Sequence, residues 1–145
     1  MDVDGQLNDC VAPVLMADTY ELSLGAGGTQ NFALRAPSAL GVFALCGSVS
    51  GTNPGRPIDG LVVPLNMDAY TLHTLTFPNQ APLTGSVGGF VPAGTGGAAS
   101  AAFGLPPATS PGLTGLNLAH AFVVLGPATG TVDFVSNAAP LVLLP

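Results

Sequence analysis

The sequence contains no lysine and no tryptophan, and only 7% of its 145 residues are charged. The chain has two arginines, Arg35 and Arg56, and eight carboxylates, so the formal net charge is −6. Nucleic-acid binding needs several cationic contacts to phosphate, and anionic membranes attract basic segments. The composition therefore excludes a nucleic-acid partner and disfavours an anionic membrane surface. The longest apolar runs, such as 119–125, are far shorter than the ~20 residues that span a bilayer, so we predict no membrane insertion.

Catalytic motifs are also lacking. The only histidines are His73 and His120, and no Gly-x-Ser-x-Gly motif accompanies them. His120 alternates with Leu118 and Phe122, which predicts a buried, hydrogen-bonded imidazole, whereas His73 is expected to point outward. Neither histidine has a cysteine or carboxylate at the spacing of a zinc site. We therefore predict that the chain is not an enzyme and has no organic cofactor.

Cysteine is scarce, with Cys10 and Cys46 as the only two residues of this type. We predict that they form a disulfide, which for a loop of this length contributes about 3–4 kcal/mol in the chain-entropy treatment. The alternative is two unrelated thiols, one buried and one exposed. A disulfide is typical of an oxidising, extracytoplasmic compartment.

Glycine and proline are abundant, with 20 and 14 residues respectively, and this density disfavours long helices. Apolar residues recur with period two, as at Tyr20, Leu22 and Leu24, and again at Phe32 and Leu34 after a glycine-rich turn. The two segments form either a hairpin or a strand pair in facing sheets. Repeated along the chain, this pattern predicts an all-β, antiparallel immunoglobulin-like β-sandwich of about eight to ten short strands.

Two middle segments carry further predictions. Residues 40–46 are apolar on both faces and predict a central strand. Residues 70–77 are rich in threonine, leucine and aromatics, which favours a strand over a short helix. Asn66, Met67 and Asp68 could nevertheless cap one turn of helix first.

The last thirty residues give the clearest pattern. Residues 116–125 and 131–136 alternate around a glycine- and proline-containing turn and predict a β-hairpin. A final apolar strand is bracketed by prolines, which is typical of a sheet edge. We assign Leu141, Val142, Leu143 and Leu144 as this edge, which could pair with a neighbouring copy, as could the leader at 11–24.

The first ten residues are acidic and polar, so we place the domain boundary after residue 10 and assign 11–145 to the sandwich. The spacing of oxygen-bearing side chains around Gly5 resembles the middle of the calcium loops of thrombospondin type 3 repeats. The expected calcium ligands are Asp2, Asp4, Asn8 and Asp9. A solvated acidic linker end is the alternative interpretation.

Three stretches, at 22–30, 47–55 and 120–137, resemble the C-terminal β-rich modules of large exported proteins of environmental bacteria. The likeness covers nearly the whole span from residue 11 to residue 145. It implies a secreted or cell-surface location and a non-catalytic accessory domain, and it carries over no binding residues.

We therefore expect a structural or accessory domain that mediates surface retention, adhesion or presentation of a larger protein. The alternative is a self-assembling homo-oligomer, a filament subunit formed by edge-strand or terminal-strand addition, because a chain with mean hydropathy +0.55 exposes apolar surface that seeks a protein partner. A carbohydrate-binding module is the third hypothesis. Its stacking platforms could only be Tyr20 and Tyr70 or one of seven phenylalanines.

Overall fold

The computed structural model describes residues 14–36, 42–89, 91–92, 97–126 and 130–145. Within these residues the chain forms thirteen β-strands, one α-helix, and one 3-10 helix at Pro111–Leu113. In chain order, the elements are β1 (Leu15–Ala17), β2 (Glu21–Ser23), β3 (Gly28–Ala36), β4 (Val42–Ser48), β5 (Arg56–Ile58), β6 (Leu61–Val63), α1 (Ala69–Thr76), β7 (Leu83–Thr84), β8 (Val87–Gly89), β9 (Val91–Pro92), β10 (Gly97–Leu105), β11 (Asn117–Leu125), β12 (Val132–Val135) and β13 (Ala139–Leu144).

One layer is a five-stranded antiparallel sheet of order β1-β3-β10-β7, in which β9 also pairs with β10. Strands β3 and β10 are nine residues long and pair along their whole length. The period-two pattern of β3 places Phe32 and Leu34 in the core and Asn31 and Arg35 in solvent, as predicted. The outer face of this sheet therefore carries the polar half of the alternation.

The second layer is a six-stranded sheet of order β2-β13-β11-β4-β8, in which β12 also pairs with β11. Strand β4 lies between β11 and β8, so the central strand predicted at 40–46 is confirmed from residue 42 onward. The β11–β12 hairpin is confirmed as well. The turn at 25–28 connects β2 to β3, which lie in different sheets, so the facing-sheet alternative is correct.

The core lies between the two layers. Leu34 and Phe32 of the five-stranded sheet and Leu45 and Phe122 of the six-stranded sheet are all at most 2% exposed and belong to one cluster. Burial of such a side chain contributes roughly 1.5–3 kcal/mol. The sandwich is therefore held together mainly by the apolar faces of these long strands.

A buried polar side chain connects the two layers. Gln30 of β3 is fully buried, and its Nε2 donates to the backbone oxygens of Thr19 and Pro140 at 2.8 and 3.1 Å. Because Pro140 belongs to β13, this amide links the two sheets.

A second, smaller apolar cluster covers the other face of the six-stranded sheet. Cys46 of β4 and Ala119 and Ala121 of β11 point away from the main core and pack against Val63 and Leu65. The hairpin formed by β5 and β6 covers this face, which explains why β11 is apolar on both sides.

The all-β sandwich predicted from the sequence is confirmed. The strands are more numerous than expected because seven of the thirteen have only two or three residues. Strands this short contain too few positions for alternation to be detected.

The strand predicted at 70–77 is wrong, because this segment forms α1. Asp68 is the N-cap, and its side chain and that of Thr71 satisfy each other's backbone N–H groups in a capping box. This local bonding outweighs the β-propensity of threonine and tyrosine. The alternative of a capped helical turn is correct in kind but extends to two turns.

The free edge predicted for residues 141–144 is also wrong. Strand β13 lies between β11, with which it is antiparallel, and β2, with which it forms the only parallel pair among the described strands. Pro140 lacks an N–H, yet it is tolerated opposite Ala119 at the start of the strand. In the leader, β1 pairs with β3 and β2 pairs with β13, and each of these two strands lies at the end of its sheet.

Candidate functional site

His120 lies at the centre of the sandwich in a ring of aromatic side chains. It is fully buried, as predicted, and its Nε2 forms a 2.8 Å hydrogen bond with the hydroxyl of Tyr70. Its ring centroid lies 5.2 Å from that of Phe32 and 5.3 Å from that of Phe103. Its Nδ1 has no hydrogen-bond partner. In this enclosed position the imidazole cannot contact a substrate in solvent.

Burial dominates the electrostatics of this pair. Desolvation lowers the pKa of His120 from 6.5 to about 3, so the imidazole is neutral at physiological pH. Desolvation, with smaller effects from Cys46 and Asp68, raises the pKa of Tyr70 well above its usual range. Both groups are therefore neutral, and neither is poised for acid–base chemistry near pH 7.

Gly47 of β4 provides the space for this pair. A Cβ atom at this position would lie 2.8 Å from Cδ2 and 2.9 Å from Nε2 of His120, and would overlap the ring of Tyr70. The backbone conformation of Gly47 is ordinary, so the absence of a side chain is what the site requires. Without that space, Tyr70 could not reach between the two sheets.

Asp68 attaches the first turn of α1 to the loop that follows β4. Its Oδ2 accepts hydrogen bonds from the backbone N–H groups of Val49 and Ser50 and from the hydroxyls of Ser48 and Ser50, at 2.7–2.9 Å. Its Oδ1 accepts from the N–H and the hydroxyl of Thr71. Desolvation raises the pKa of Asp68, but these hydrogen bonds outweigh it, and the net pKa lies well below the usual range. The charged carboxylate therefore fixes α1 in place.

The outer face of the five-stranded sheet carries two shallow hollows on either side of Asn31. One has a volume of about 270 Å³ and is lined by residues of β3, β10 and β7, including Ser100 and Thr84. The other has a volume of about 380 Å³ and is lined by residues of β1 and β3, including Met16, and by Asp18, which follows β1. The side chains that line the two hollows are mostly small and uncharged, and Asp18 is the charged residue among them. Such surfaces can contact a ligand that has both hydrogen-bonding and apolar groups.

Asp18 and Asn31 form the polar centre of this face. The side-chain amide of Asn31 donates to Asp18 Oδ2, and the backbone N–H of Asn31 donates to Oδ1, both at 2.8 Å. These two bonds, the side-chain one first, lower the pKa of Asp18. An ionised carboxylate beside a carboxamide offers acceptors in a fixed geometry to hydroxyl groups of a ligand.

Side chains form hydrogen bonds with the backbone of three strands, β1, β8 and β12. Asn137 accepts from the N–H groups of Val14 and Leu15 and donates to the oxygen of Leu15, each at 3.0 Å, along β1. Asn79 accepts from the N–H of the β8 residue Val87 at 2.9 Å. A third side chain, Asp59, accepts from the N–H of Val132 in β12 at 2.9 Å. Blocked in this way, these strands are poor templates for pairing with another chain.

Asn137→Ala is expected to expose the edge of β1. The variant loses three hydrogen bonds that join β1 to the β12–β13 connection, so we expect a loss of about 2 kcal/mol in stability and concentration-dependent association through the freed strand. Urea unfolding and sedimentation velocity measure the two effects. Asn117→Ala, at an exposed asparagine of β11, is the control. A stable, strictly monomeric Asn137→Ala protein would contradict this role.

Several residues singled out in the sequence are not brought to a site. The predicted calcium ligands Asp2, Asp4, Asn8 and Asp9 lie outside the described residues, as does Cys10. Among the residues that the structure does describe, no group of three His, Cys, Asp or Glu side chains could hold a metal ion.

Cys46 has no disulfide partner among the residues that the structure describes, and it is 6% exposed. Burial raises its pKa to about 12, so it is an unreactive thiol in this environment. Because Cys10 lies outside the described residues, the pairing of Cys10 with Cys46 stays a prediction.

The two tyrosines have different environments. Tyr20 is 53% exposed, whereas Tyr70 is partly buried and contacts Phe103 and His120 edge-on. Tyr70 is therefore a core contact, and Tyr20 is the tyrosine available to a ligand. His73 is exposed on α1, as predicted.

The roles of Asn79 and Asn137 could not be inferred from the sequence, because each side chain bonds a strand that its position in the chain does not indicate. The backbone conformation of Asn79 and Asp59 is a partial signal. Both have positive φ, 63° and 52°, a region that asparagine and aspartate tolerate better than most residues.

Comparison of the chain with protein families, curated proteins and solved structures found no match. In the described part of the chain, no helix has the length and apolar character needed to cross a membrane. Fold and site geometry are therefore the basis of the functional argument.

Proposed function

We propose that this chain is a non-catalytic accessory module of an extracellular protein, and that it retains or presents that protein at a cell surface by adhesion. The observation that carries the proposal is the outer face of the five-stranded sheet, where two hollows flank Asn31. The extracellular placement rests on the resemblance to exported bacterial modules. The buried, neutral state of His120 and Tyr70 supports a binding role over catalysis.

The blocked margins of β1, β8 and β12 weigh against a filament built by strand addition. Both sides of β13 are paired within the fold, and Asn137 occupies the backbone of β1. Binding a partner through the face of a sheet leaves these hydrogen bonds intact. We therefore favour binding by the sheet face over strand addition.

Carbohydrate binding is the second candidate, and the pair formed by Asp18 and Asn31 favours it. Carboxylate and carboxamide groups bond pairs of sugar hydroxyls, while Met16 and the neighbouring alanines can contact the apolar C–H face of a sugar ring. The formal charge of −6 disfavours acidic polymers. A neutral polysaccharide therefore fits this face best.

The test measures retention of the labelled, purified chain on bacterial cell-wall material and on a panel of insoluble neutral polysaccharides. Asn31→Ala and Ser100→Gln, which remove the polar centre and fill one hollow, are expected to weaken retention at least tenfold, or about 1.4 kcal/mol. Asn117→Ala, on the other sheet, should bind like the parent chain. Equal retention by all three variants would remove this face from consideration.

The polysaccharide arm separates the two candidates. Retention on cell-wall material but on no polysaccharide supports a protein partner, whereas saturable binding to one polysaccharide supports the carbohydrate module. Release of soluble sugar by the purified chain would contradict the non-catalytic assignment.

A further inference from the structure

Helix α1 meets solvent on one side and the sandwich on the other. Leu72, Leu75 and Phe77 are 57%, 45% and 48% exposed, so the outer side contributes little to its attachment. On the inner side, Tyr70 reaches between the sheets, and the hydroxyl of Thr74 accepts from the N–H of Gly47 at 3.4 Å. Because a helix of two turns is unstable in isolation, α1 depends on these inner contacts together with its Asp68 cap.

The surroundings of His120 contain no compensating negative charge among the described residues that face it. Asp68 caps α1, but its oxygens are bonded to Ser48, Val49, Ser50 and Thr71. Cys46 belongs to the cluster on the opposite face of the sheet. The groups that the packed elements present to His120 are Phe32 of β3, Phe103 of β10, Gly47 of β4, Ala139 of β13 and Tyr70 of α1.

Protonation changes what this imidazole needs. The neutral ring bonds Tyr70 through Nε2 and leaves Nδ1 without a partner. The imidazolium has two donors, and Nδ1–H would have no acceptor while the charge is enclosed by apolar rings. The faces of Phe32 and Phe103 offset only part of the cost of burying a charge. Acid therefore favours any conformation that lets His120 reach water.

We propose that His120 and Tyr70 form an acid-sensitive latch, in which protonation of His120 releases Tyr70, and with it α1, from a sandwich whose two sheets stay packed. Of the groups named above, Tyr70 alone belongs to an element outside the sheets. Strand β11, which carries His120, is paired with β4, β12 and β13. Moving α1 consequently breaks fewer contacts than moving β11. This inference is independent of the ligand proposed for the outer sheet face.

The direction of the pH dependence follows from linkage. Burial lowers the pKa of His120 from 6.5 to about 3, whereas the open state recovers the ordinary pKa and binds the proton first as the pH falls. The closed state is fully favoured above pH 6.5 and loses this advantage progressively towards pH 3. Linkage gives about a 25-fold rise in the open-to-closed ratio between pH 7 and pH 5. Ordinary carboxylates are still mostly ionised at pH 5, so this interval isolates the histidine.

Hydrogen–deuterium exchange with mass spectrometry at pH 7 and pH 5, corrected for intrinsic exchange rates, measures the opening. Peptides covering 69–77 report α1, and peptides covering β11 and β3 report the sheets. In the parent chain we expect the α1 amides to lose about 25-fold in protection at pH 5 while the sheet amides keep theirs. His120→Gln should abolish the pH effect. His73→Gln, which changes the exposed histidine of the same helix, should leave it intact.

Tyr70→Phe keeps the proposal testable if His120→Gln does not fold. It keeps the ring and the titrating histidine but removes the hydroxyl, so α1 should open more at both pH values while the pH factor persists. Equal protection of α1 at pH 7 and pH 5 in the parent chain would overturn the proposal. So would equal loss of protection in α1 and β11, a pH effect that survives in folded His120→Gln, or a Tyr70→Phe protein with parental protection of α1.

Discussion

Gly47→Ala is expected to destabilise the protein by about 3 kcal/mol, a large share of the 5–15 kcal/mol typical of a domain. The new methyl group would overlap the ring of Tyr70 and lie within 2.9 Å of His120. Neither neighbour can withdraw easily, because both rings are packed against Phe103. Urea unfolding followed by circular dichroism measures the loss.

Two comparisons identify the cause of that loss. Gly25→Ala is the matched control, since the nearest atom to its added Cβ is 3.9 Å away and little change is expected. In a Tyr70→Leu background the ring is gone, so Gly47→Ala should cost less than it does in the parent or in Tyr70→Phe. An identical cost in all three backgrounds would mean that the ring of Tyr70 does not define the space at Gly47.

Asp68→Ala is expected to cost about 4 kcal/mol, because it removes the helix cap and a charged acceptor shared by several donors. The loop after β4 and the first turn of α1 lose their common anchor together. Asp68→Asn should be nearly as harmful, since an amide nitrogen cannot accept the four bonds that reach Oδ2. Differential scanning calorimetry of the three proteins measures the effect.

Asp18→Ala is the control for this prediction, because Asp18 is an exposed aspartate whose carboxylate bonds the side chain and backbone of Asn31. Its loss should change stability by well under 1 kcal/mol. The dependence of stability on pH in the acidic range provides a second check. The lowered pKa of Asp68 stabilises the folded state above its ordinary pKa near 4 and is lost as the pH falls below it. Asp68→Ala should therefore unfold with a shallower pH dependence in that range.

The long strands could be predicted because their alternation is directly visible in the sequence. In β3, Phe32 and Leu34 are buried and Asn31 and Arg35 are exposed, which is the period that a half-buried strand imposes. The same pattern predicted that His120 would share the core face with Phe122. Burial is thus predictable where a strand is long and one of its faces meets water.

Helix α1 was mispredicted because its decisive interactions are few and local. Threonine and tyrosine favour strands on average, but Asp68 and Thr71 stand three residues apart and close a capping box. Tyr70 then finds its partner on β11, fifty residues away. A contact at that distance cannot be inferred from the spacing of neighbouring residues.

The position of β13 shows a different limit. Its prolines suggested an edge, yet β2 pairs with it on the side away from β11. Similarly, the side chain of Asn137 forms hydrogen bonds with the backbone of β1. Both contacts join segments more than 110 residues apart. Proline restricts its own N–H, but it does not determine which strand lies beside the remaining residues.

The parallel pairing of β2 with β13 also determines when this protein can fold. Residues 21–23 leave the ribosome some 120 residues before their partners at 142–144. Until then β2 has no neighbour in its own sheet, and the apolar side chain of Leu22 stays without its final contacts. Non-local pairing of this kind slows folding and prolongs exposure to aggregation. The six-stranded sheet can therefore gain its β2 edge only after residues 142–144 have been synthesised.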